Sequence, residues 1–281
     1  MVRARKRFGQ HFLEPAWVTK LVAAIAPQPT DRFIEIGPGR GAITAPLAAQ
    51  VGRLIAIEVD RDLAAELQAR ALPNVTVLTA DVLEVDLVGI AERIGPASAS
   101  AKALADKDLT QLSVRIVGNL PYNISSPILF KLLDASTSGL LTDATLMLQK
   151  EVADRLIAKP GTGDYGVLTL CTIIRADVIR LLELPAGAFR PAPKVRSSVV
   201  RLDFRPPPSE VTDPKLLVKI VRSAFTQRRK TMANALTPLA TSRGQDAHAA
   251  LATAGLDPRR RPETFTLAEY ARLADALRGA P

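Results

Sequence analysis

The sequence predicts an α/β protein: a Rossmann-like, doubly wound parallel sheet followed by a small all-helical C-terminal domain. Three observations predict it. Short apolar runs alternate with amphipathic stretches through the first half of the chain, the pattern of strand–helix–strand units. The first apolar run ends in a glycine-rich turn, Gly37-Pro38-Gly39-Arg40-Gly41. Past Pro206-Pro207-Pro208-Ser209, a linker composition, the pattern becomes wholly helical.

Each element follows in order. Residues 14–26 read as an amphipathic helix entered through Pro15. Arg32–Ile36 reads as a buried strand and 41–50 as the helix after the glycine turn. Arg53–Glu58 is a second strand, 61–70 a second helix and 75–78 a third strand. A fourth strand is expected over 114–117, then a turn, a helix over 125–133 and a fifth strand over 144–148. Residues 95–108 hold Ala, Ser, Lys and Asp with almost no large apolar side chain, which predicts a flexible insertion at about 95–110. After the linker, helices are expected over 214–226, 230–240, 245–254 and 267–277, the last opened by Thr266 and Glu269 at capping-box spacing. The boundary therefore falls between a domain over 1–208 and a helical domain over 209–281.

Composition narrows the function classes. With 281 residues and 47% hydrophobic content the chain can bury a full core without staples. One cysteine, Cys171, excludes a disulfide framework, and with two histidines, His11 and His248, a zinc cluster is not expected. Cys171 lies in an apolar run and reads as a core thiol; Trp17 reads as packing. No apolar run reaches the roughly 18 residues that span a bilayer, and no apolar signal core follows the basic N-terminus. A cytoplasmic protein without membrane contact is expected. Residues 1–185 balance at 20 Lys/Arg against 20 Asp/Glu, so the net +9 sits in residues 186–281. Arg5, Lys6 and Arg7 add a basic N-terminal cluster. Charge segregated in this way suits a polyanion, and Arg228, Arg229, Lys230, Arg259, Arg260 and Arg261 are candidate phosphate contacts.

The glycine turn lets backbone approach a ligand closely. Glu58, at the end of the second strand, can accept both hydroxyls of a ribose. Asp81, after the third, can accept from the exocyclic amine of adenine. Together with Gly37 and Gly39 they would hold an adenosine-containing cofactor. Two readings stay open on this alone. Gly37, Gly39 and Ala42 with Glu58 also satisfy a dinucleotide fingerprint, which suits a nicotinamide enzyme. Glu35, pointing a carboxylate at the turn, suits a cofactor carrying an ammonium and a sulfonium.

Asn119-Leu120-Pro121-Tyr122 follows the fourth strand. The lone pair of an exocyclic adenine nitrogen is delocalised into the ring, so a catalyst must draw it out of conjugation. The Asn119 side-chain oxygen and the Leu120 carbonyl, held by the restriction Pro121 imposes on the residue before it, can grip the two amino hydrogens. Tyr122 offers a ring face for stacking. Such catalysis rests on positioning and electrostatics and asks for no metal.

At these residues the chain resembles the bacterial ribosomal RNA adenine N6-dimethyltransferase family, the small-subunit enzymes associated with kasugamycin sensitivity. Arg5-Lys6-Arg7-Phe8-Gly9-Gln10-His11-Phe12-Leu13 resembles the family's N-terminal signature. Glu35–Gly41, Glu58 with Asp60, Ala80-Asp81-Val82-Leu83 and Asn119–Tyr122 match its motifs in order. Gln149–Ala153, Tyr165-Gly166, Phe189–Val195 with Ser197-Ser198, and Phe225 with Gln227–Thr231 match its later parts. The resemblance implies S-adenosylmethionine as donor, with S-adenosylhomocysteine as product, contacted at His11, Leu13, Gly37, Glu58, Asp81 and Asn119. It implies that Phe189 closes over the target adenine opposite Tyr122. It further implies dimethylation of two adjacent adenosines in the 3′-terminal hairpin of small-subunit rRNA, within assembling 30S particles, by a protein that is a monomer when free. A large-subunit methylase and a non-catalytic assembly factor are the alternatives. The stretch between Asp81 and Asn119 is longer than the family pattern, the excess falling in 95–108.

Overall fold

The computed structural model describes residues 12–94 and 113–278. The candidate residues Arg5, Lys6, Arg7 and His11, and the insertion expected at 95–108, lie outside them. The strands are β1 (Phe12–Leu13), β2 (Arg32–Ile36), β3 (Arg53–Glu58), β4 (Val75–Thr79), β5 (Val114–Asn119), β6 (Leu141–Gln149), β7 (Ala176–Leu184), β8 (Phe189–Arg190) and β9 (Ser197–Phe204). The α-helices are α1 (Pro15–Ile25), α2 (Thr44–Ala48), α3 (Arg61–Gln68), α4 (Leu87–Ile94), α5 (Ser125–Ala135), α6 (Lys150–Leu156), α7 (Val167–Ile173), α8 (Pro214–Thr226), α9 (Met232–Ser242), α10 (Ala247–Thr253) and α11 (Leu267–Arg278).

The main sheet has the order β4-β3-β2-β5-β6-β9-β7. The first five strands are parallel and β9 runs antiparallel to β6. The chain moves outward from β2 through β3 to β4, then returns to the other side of β2 for β5 and β6. The order thus reverses between β2 and β5, and the crevice at the carboxyl ends of these two strands is where an open α/β sheet takes its ligand. Both strands are nearly continuously buried, as parallel strands covered on both faces must be.

Four expectations needed adjustment. The helix after the glycine turn covers only Thr44–Ala48, because Gly39 and Gly41 adopt left-handed φ of 57° and 69° and the Gly41 N–H closes a turn on Pro38 O. β5 runs two residues further than its apolar core, so Asn119 ends the strand itself. β7 and β9 extend the sheet beyond β6; their polar and apolar residues do not form the short continuous run by which the other strands were read. The domain boundary is also different. The chain divides into one unit of Met1–Ala153 with Asp177–Arg205 and a second of Asp154–Ala176 with Pro206–Pro281. Residues 154–176 belong with the C-terminal helices because Tyr165, Leu170 and Ile174 bury themselves among Leu217, Val221, Leu236 and Phe265.

In that second unit the two largest buried rings also find polar partners, as buried tyrosines must. Tyr165 donates its hydroxyl to Phe265 O and Tyr270 donates to Pro262 O, both at 2.9 Å. Thr266 and Glu269 form the expected capping box, with Thr266 N–H donating to Glu269 and Glu269 N–H donating to Thr266. No helix among the described residues is long and apolar enough to cross a membrane.

Candidate active site

A cavity of about 290 Å³ opens at the carboxyl ends of β2–β5. Its walls are contributed in turn by Leu13, the Gly37–Gly39 turn, Glu58 and Val59 at the end of β3, Asp81 and Val82 after β4, and Asn119–Tyr122 at the end of β5. It is mostly apolar with a few convergent polar groups, the usual composition of a small-molecule site.

The glycine turn is held from below. Gly37 sits at φ 67° and donates its N–H to Ile57 O, while Gly39 donates to Glu58 Oε2 at 2.9 Å. The other Glu58 oxygen accepts from Asp60 N–H, also at 2.9 Å. Two backbone donors leave a carboxylate with unused lone pairs, so Glu58 remains able to accept from a ligand. Its carboxyl is pushed above the usual range by burial, with the Asp60 and Gly39 N–H groups opposing that rise. Gly118 has a reason the sequence reading did not extract: a Cβ there would stand 2.8 Å from Ile36 O, so only glycine lets β5 close on β2 at the crevice.

Asp81 holds its own turn, accepting from Leu83 N–H at 2.8 Å on Oδ1. Lys131 of α5 donates to Leu83 O and ties that turn to the opposite side of the site. Asn119 and the residues after it form the next turn. Leu120 N–H donates to Met147 O, Ile124 N–H donates to Pro121 O, and Ser125 Oγ donates to Tyr122 O. The Tyr122 hydroxyl lies 2.6 Å from Ser197 Oγ. Burial raises the Tyr122 phenol above its ordinary value, against the Ser197 hydrogen bond.

The cavity therefore brings together Leu13, Gly37, Gly39, Glu58, Asp81 and Asn119–Tyr122. It does not bring in two others. Glu35 lies buried beneath the turn and off the cavity wall. Burial pushes its carboxyl up to about 7, with Thr44 opposing and Glu58 adding to the rise. Phe189 is 2% exposed and packs in the core with Leu13 and Val18, because β8 pairs with β1 and sets Phe189 opposite Leu13. It stands here as a core ring rather than a cavity wall.

The basic candidates of the second unit also divide. Arg229, Lys230, Arg259 and Arg261 are exposed. Arg228 is half-buried and donates to Thr162 O. Arg260 is turned inward. Its guanidinium pairs with both oxygens of Glu269, donates to Thr264 O and Oγ1, and covers the Phe265 ring at 4.3 Å. Every nitrogen of the fork is engaged, so Arg260 is a structural clamp and its expected phosphate contact is withdrawn. Cys171 is a buried thiol, as expected. Among the described residues no cluster of three or more His, Cys, Asp or Glu is placed to hold a metal ion.

Sequence reasoning gave no role to three residues of the site. Val59 is 47% exposed for a large apolar side chain and lines the cavity between Glu58 and Asp60. The end of a strand at a crevice was signal enough to find it. Gly118, directly before Asn119, was likewise visible. Ser197 was noted only within the motif that follows Phe189; its tie to Tyr122, 75 residues away, was not readable.

Comparison with known proteins accords with this geometry. The chain matches the sequence model of the family described as ribosomal RNA adenine dimethylase over residues 1–278. It is 45% identical over 275 residues to ribosomal RNA small subunit methyltransferase A of Nitrosococcus oceani, covering 96% of this chain and 95% of that one. It is 41% identical over 280 residues to the protein of the same name in Acinetobacter baylyi, covering 98% and 93%. Its fold is similar to that of a dimethyladenosine transferase from Plasmodium falciparum, with a TM-score of 0.71 at 24% identity over 94% of this chain and 96% of that one. It is also similar to the 23S rRNA methyltransferase ErmE, with a TM-score of 0.64 at 25% identity over 95% and 100%. A likeness that runs the length of both chains, at this level of identity, is one of common descent: the chain belongs to the ribosomal RNA adenine dimethylase family.

Proposed function

We propose that this protein dimethylates the N6 amino groups of two adjacent adenosines in the 3′-terminal hairpin of small-subunit (16S) rRNA, using S-adenosylmethionine, during assembly of the 30S particle. The observation that carries the reading is the Asn119–Tyr122 turn standing on the wall of the same cavity that Glu58 and Asp81 line. Full-length relatives named as small-subunit rRNA methyltransferases support the substrate.

The residues present fit S-adenosylmethionine. Glu58 would accept from the ribose hydroxyls and Asp81 from the adenine amine, with Val59 and Val82 as apolar walls for the base. The Gly37–Gly39 turn leaves room for the methionine part, and Leu13 closes the cavity. His11, expected at the same site, lies outside the described residues. Glu35, buried beneath the turn with its carboxyl pushed up to about 7, makes no direct contact in this reading. When bound, the cofactor supplies an electrophilic methyl group on a sulfonium, which needs no Lewis acid, so the reading includes no metal.

The chain's own residues act on the target adenine. The Asn119 side-chain oxygen and the Leu120 carbonyl accept the two amino hydrogens and draw the nitrogen lone pair out of the ring. Tyr122 stacks on the base and holds it in plane. Each acceptor is fixed before the base arrives, so little reorganisation is needed in the transition state. The exposed cations Arg229, Lys230, Arg259 and Arg261, with Arg228 and the N-terminal Arg5, Lys6 and Arg7, would hold the RNA by its phosphates. We read the free protein as a cytoplasmic monomer whose partner is the assembling small subunit, with no membrane contact.

The test is to incubate the protein with labelled S-adenosylmethionine and undermethylated small subunits, and in parallel with large subunits, then map the label. Two adjacent N6-dimethyladenosines near the 3′ end of small-subunit rRNA are expected. Label confined to 23S rRNA would move the assignment to the 23S rRNA methyltransferase activity for which ErmE is named.

A further inference from the structure

We propose that Ser197 is a positioning residue for Tyr122, fixing the ring on which the target adenine stacks. The inference rests on the reading of Tyr122 just given and adds a residue that reading does not contain.

Ser197 is fully buried and opens β9, the strand antiparallel to β6. It is set opposite Gln149, and one step further the Lys150 N–H donates to Arg196 O at 2.9 Å, so the backbone at this point is clamped on both sides of the residue. Its hydroxyl therefore has a defined position. The Tyr122 hydroxyl reaches it at 2.6 Å. At the other end of the same residue the Tyr122 carbonyl accepts from Ser125 Oγ at 3.2 Å. The tyrosine is thus held at its backbone by the helix that follows it and at its tip by a strand 75 residues on. A ring anchored at both ends cannot swing about its first side-chain torsion without breaking a part-buried hydrogen bond. Both groups are hydroxyls, so the bond has a donor at neutral pH whichever one supplies it.

The consequence is kinetic. A stacking platform that is already oriented removes a motional cost from the step at which the base is aligned, and small losses of alignment lower rates steeply. Ser197 also begins its strand directly after the loop that leaves Phe189 and Arg190, so the bond ties that loop's far end to the catalytic turn.

The experiment is a double-mutant cycle read by single-turnover methylation of small subunits at saturating cofactor. Ser197→Ala and Tyr122→Phe each remove one side of the same bond. Each is expected to slow the step by roughly fivefold to tenfold, with the double variant no slower than either single one. Affinity for S-adenosylmethionine should stay unchanged in all three. Tyr122→Ala, which removes the ring, should be slower still. Multiplicative losses in the double variant would overturn the proposal, because Ser197 would then act by a separate route. A Ser197→Ala rate within twofold of wild type beside a slow Tyr122→Ala would also overturn it while leaving the stacking role intact. A Tyr122→Ala rate near wild type would overturn the stacking role itself, and this inference with it. Should Ser197→Ala fail to fold, Tyr122→Phe breaks the same bond from a less buried side chain, and a wild-type rate there rejects the proposal.

Discussion

At the carboxyl edge of the sheet, Glu58 is 5% exposed and has a backbone N–H on each oxygen. In the helical unit, the Arg259 side chain is 87% exposed and forms an ion pair with the neighbouring Asp257. The first region holds few polar groups and fixes each one by the fold. The second spreads many charges over its surface, with Arg229, Lys230, Arg259 and Arg261 all exposed. The difference separates two physical tasks. Groups that must meet a developing charge are useful only if they are already in place. Groups that neutralise phosphates work through counterion release, which tolerates loose side chains. Arg260 is the exception that makes the contrast sharper, since it carries the charge of a phosphate contact but commits every nitrogen of its fork to Glu269 and Thr264.

Substitutions can break the contrast at points of decreasing effect. Asn119→Ala should lower single-turnover methyl transfer by about 10²-fold, the scale for one lost preorganised hydrogen-bond partner. Glu58→Ala should weaken S-adenosylmethionine binding by roughly 1–3 kcal/mol, measured by calorimetry, because it removes an acceptor and also frees the Gly39 N–H. Glu58→Gln keeps an acceptor and should lose less.

Arg260→Ala should act on stability rather than on RNA. Hydrogen bonds to charged groups are worth roughly 1.5–3 kcal/mol, so a clear drop in melting temperature is expected with the salt dependence of RNA binding unchanged. The same pair sets a pH dependence. Arg260 holds the Glu269 carboxyl down at about 2, against an ordinary 4.5. The pair therefore contributes full stability above about 4.5 and loses it as pH falls from there towards 2. Thermal melts between these pH values should show that loss in the native protein and a flatter profile in Glu269→Gln. Replacing 95–108 by a short Gly/Ser linker should change melting temperature and methyl transfer least of all, since the segment has little apolar surface to bury.

How much of this was legible beforehand follows the same division. The glycine turn, Glu58, Asp81 and Asn119–Tyr122 were readable because each is a short local pattern at a strand end, and the strand order then brings them together without further instruction. Tertiary pairing was not readable. The Arg259–Arg261 run is three identical side chains in sequence, and nothing local says that the middle one turns towards Glu269. Phe189 was expected over the target adenine, and nothing local shows that the β1–β8 pairing sets it opposite Leu13. Residues 154–176 were assigned to the wrong unit because their apolar side chains have their partners some fifty residues on, among Leu217, Val221 and their neighbours.

The account's central claim is that the sheet edge sets the rate and the basic surface sets the affinity. One paired measurement tests it: methylation of small subunits, as single-turnover rate at saturation and as RNA affinity across a salt series, for Asn119→Ala and for Arg228, Arg229 and Lys230 replaced together by Gln. Asn119→Ala is predicted to lose about 10²-fold in rate with RNA affinity and salt slope intact. The triple variant is predicted to keep its saturated rate, bind more weakly, and flatten the slope of log affinity against log salt by about 0.7 per lost contact. Equal losses of rate and affinity in both variants would contradict the division.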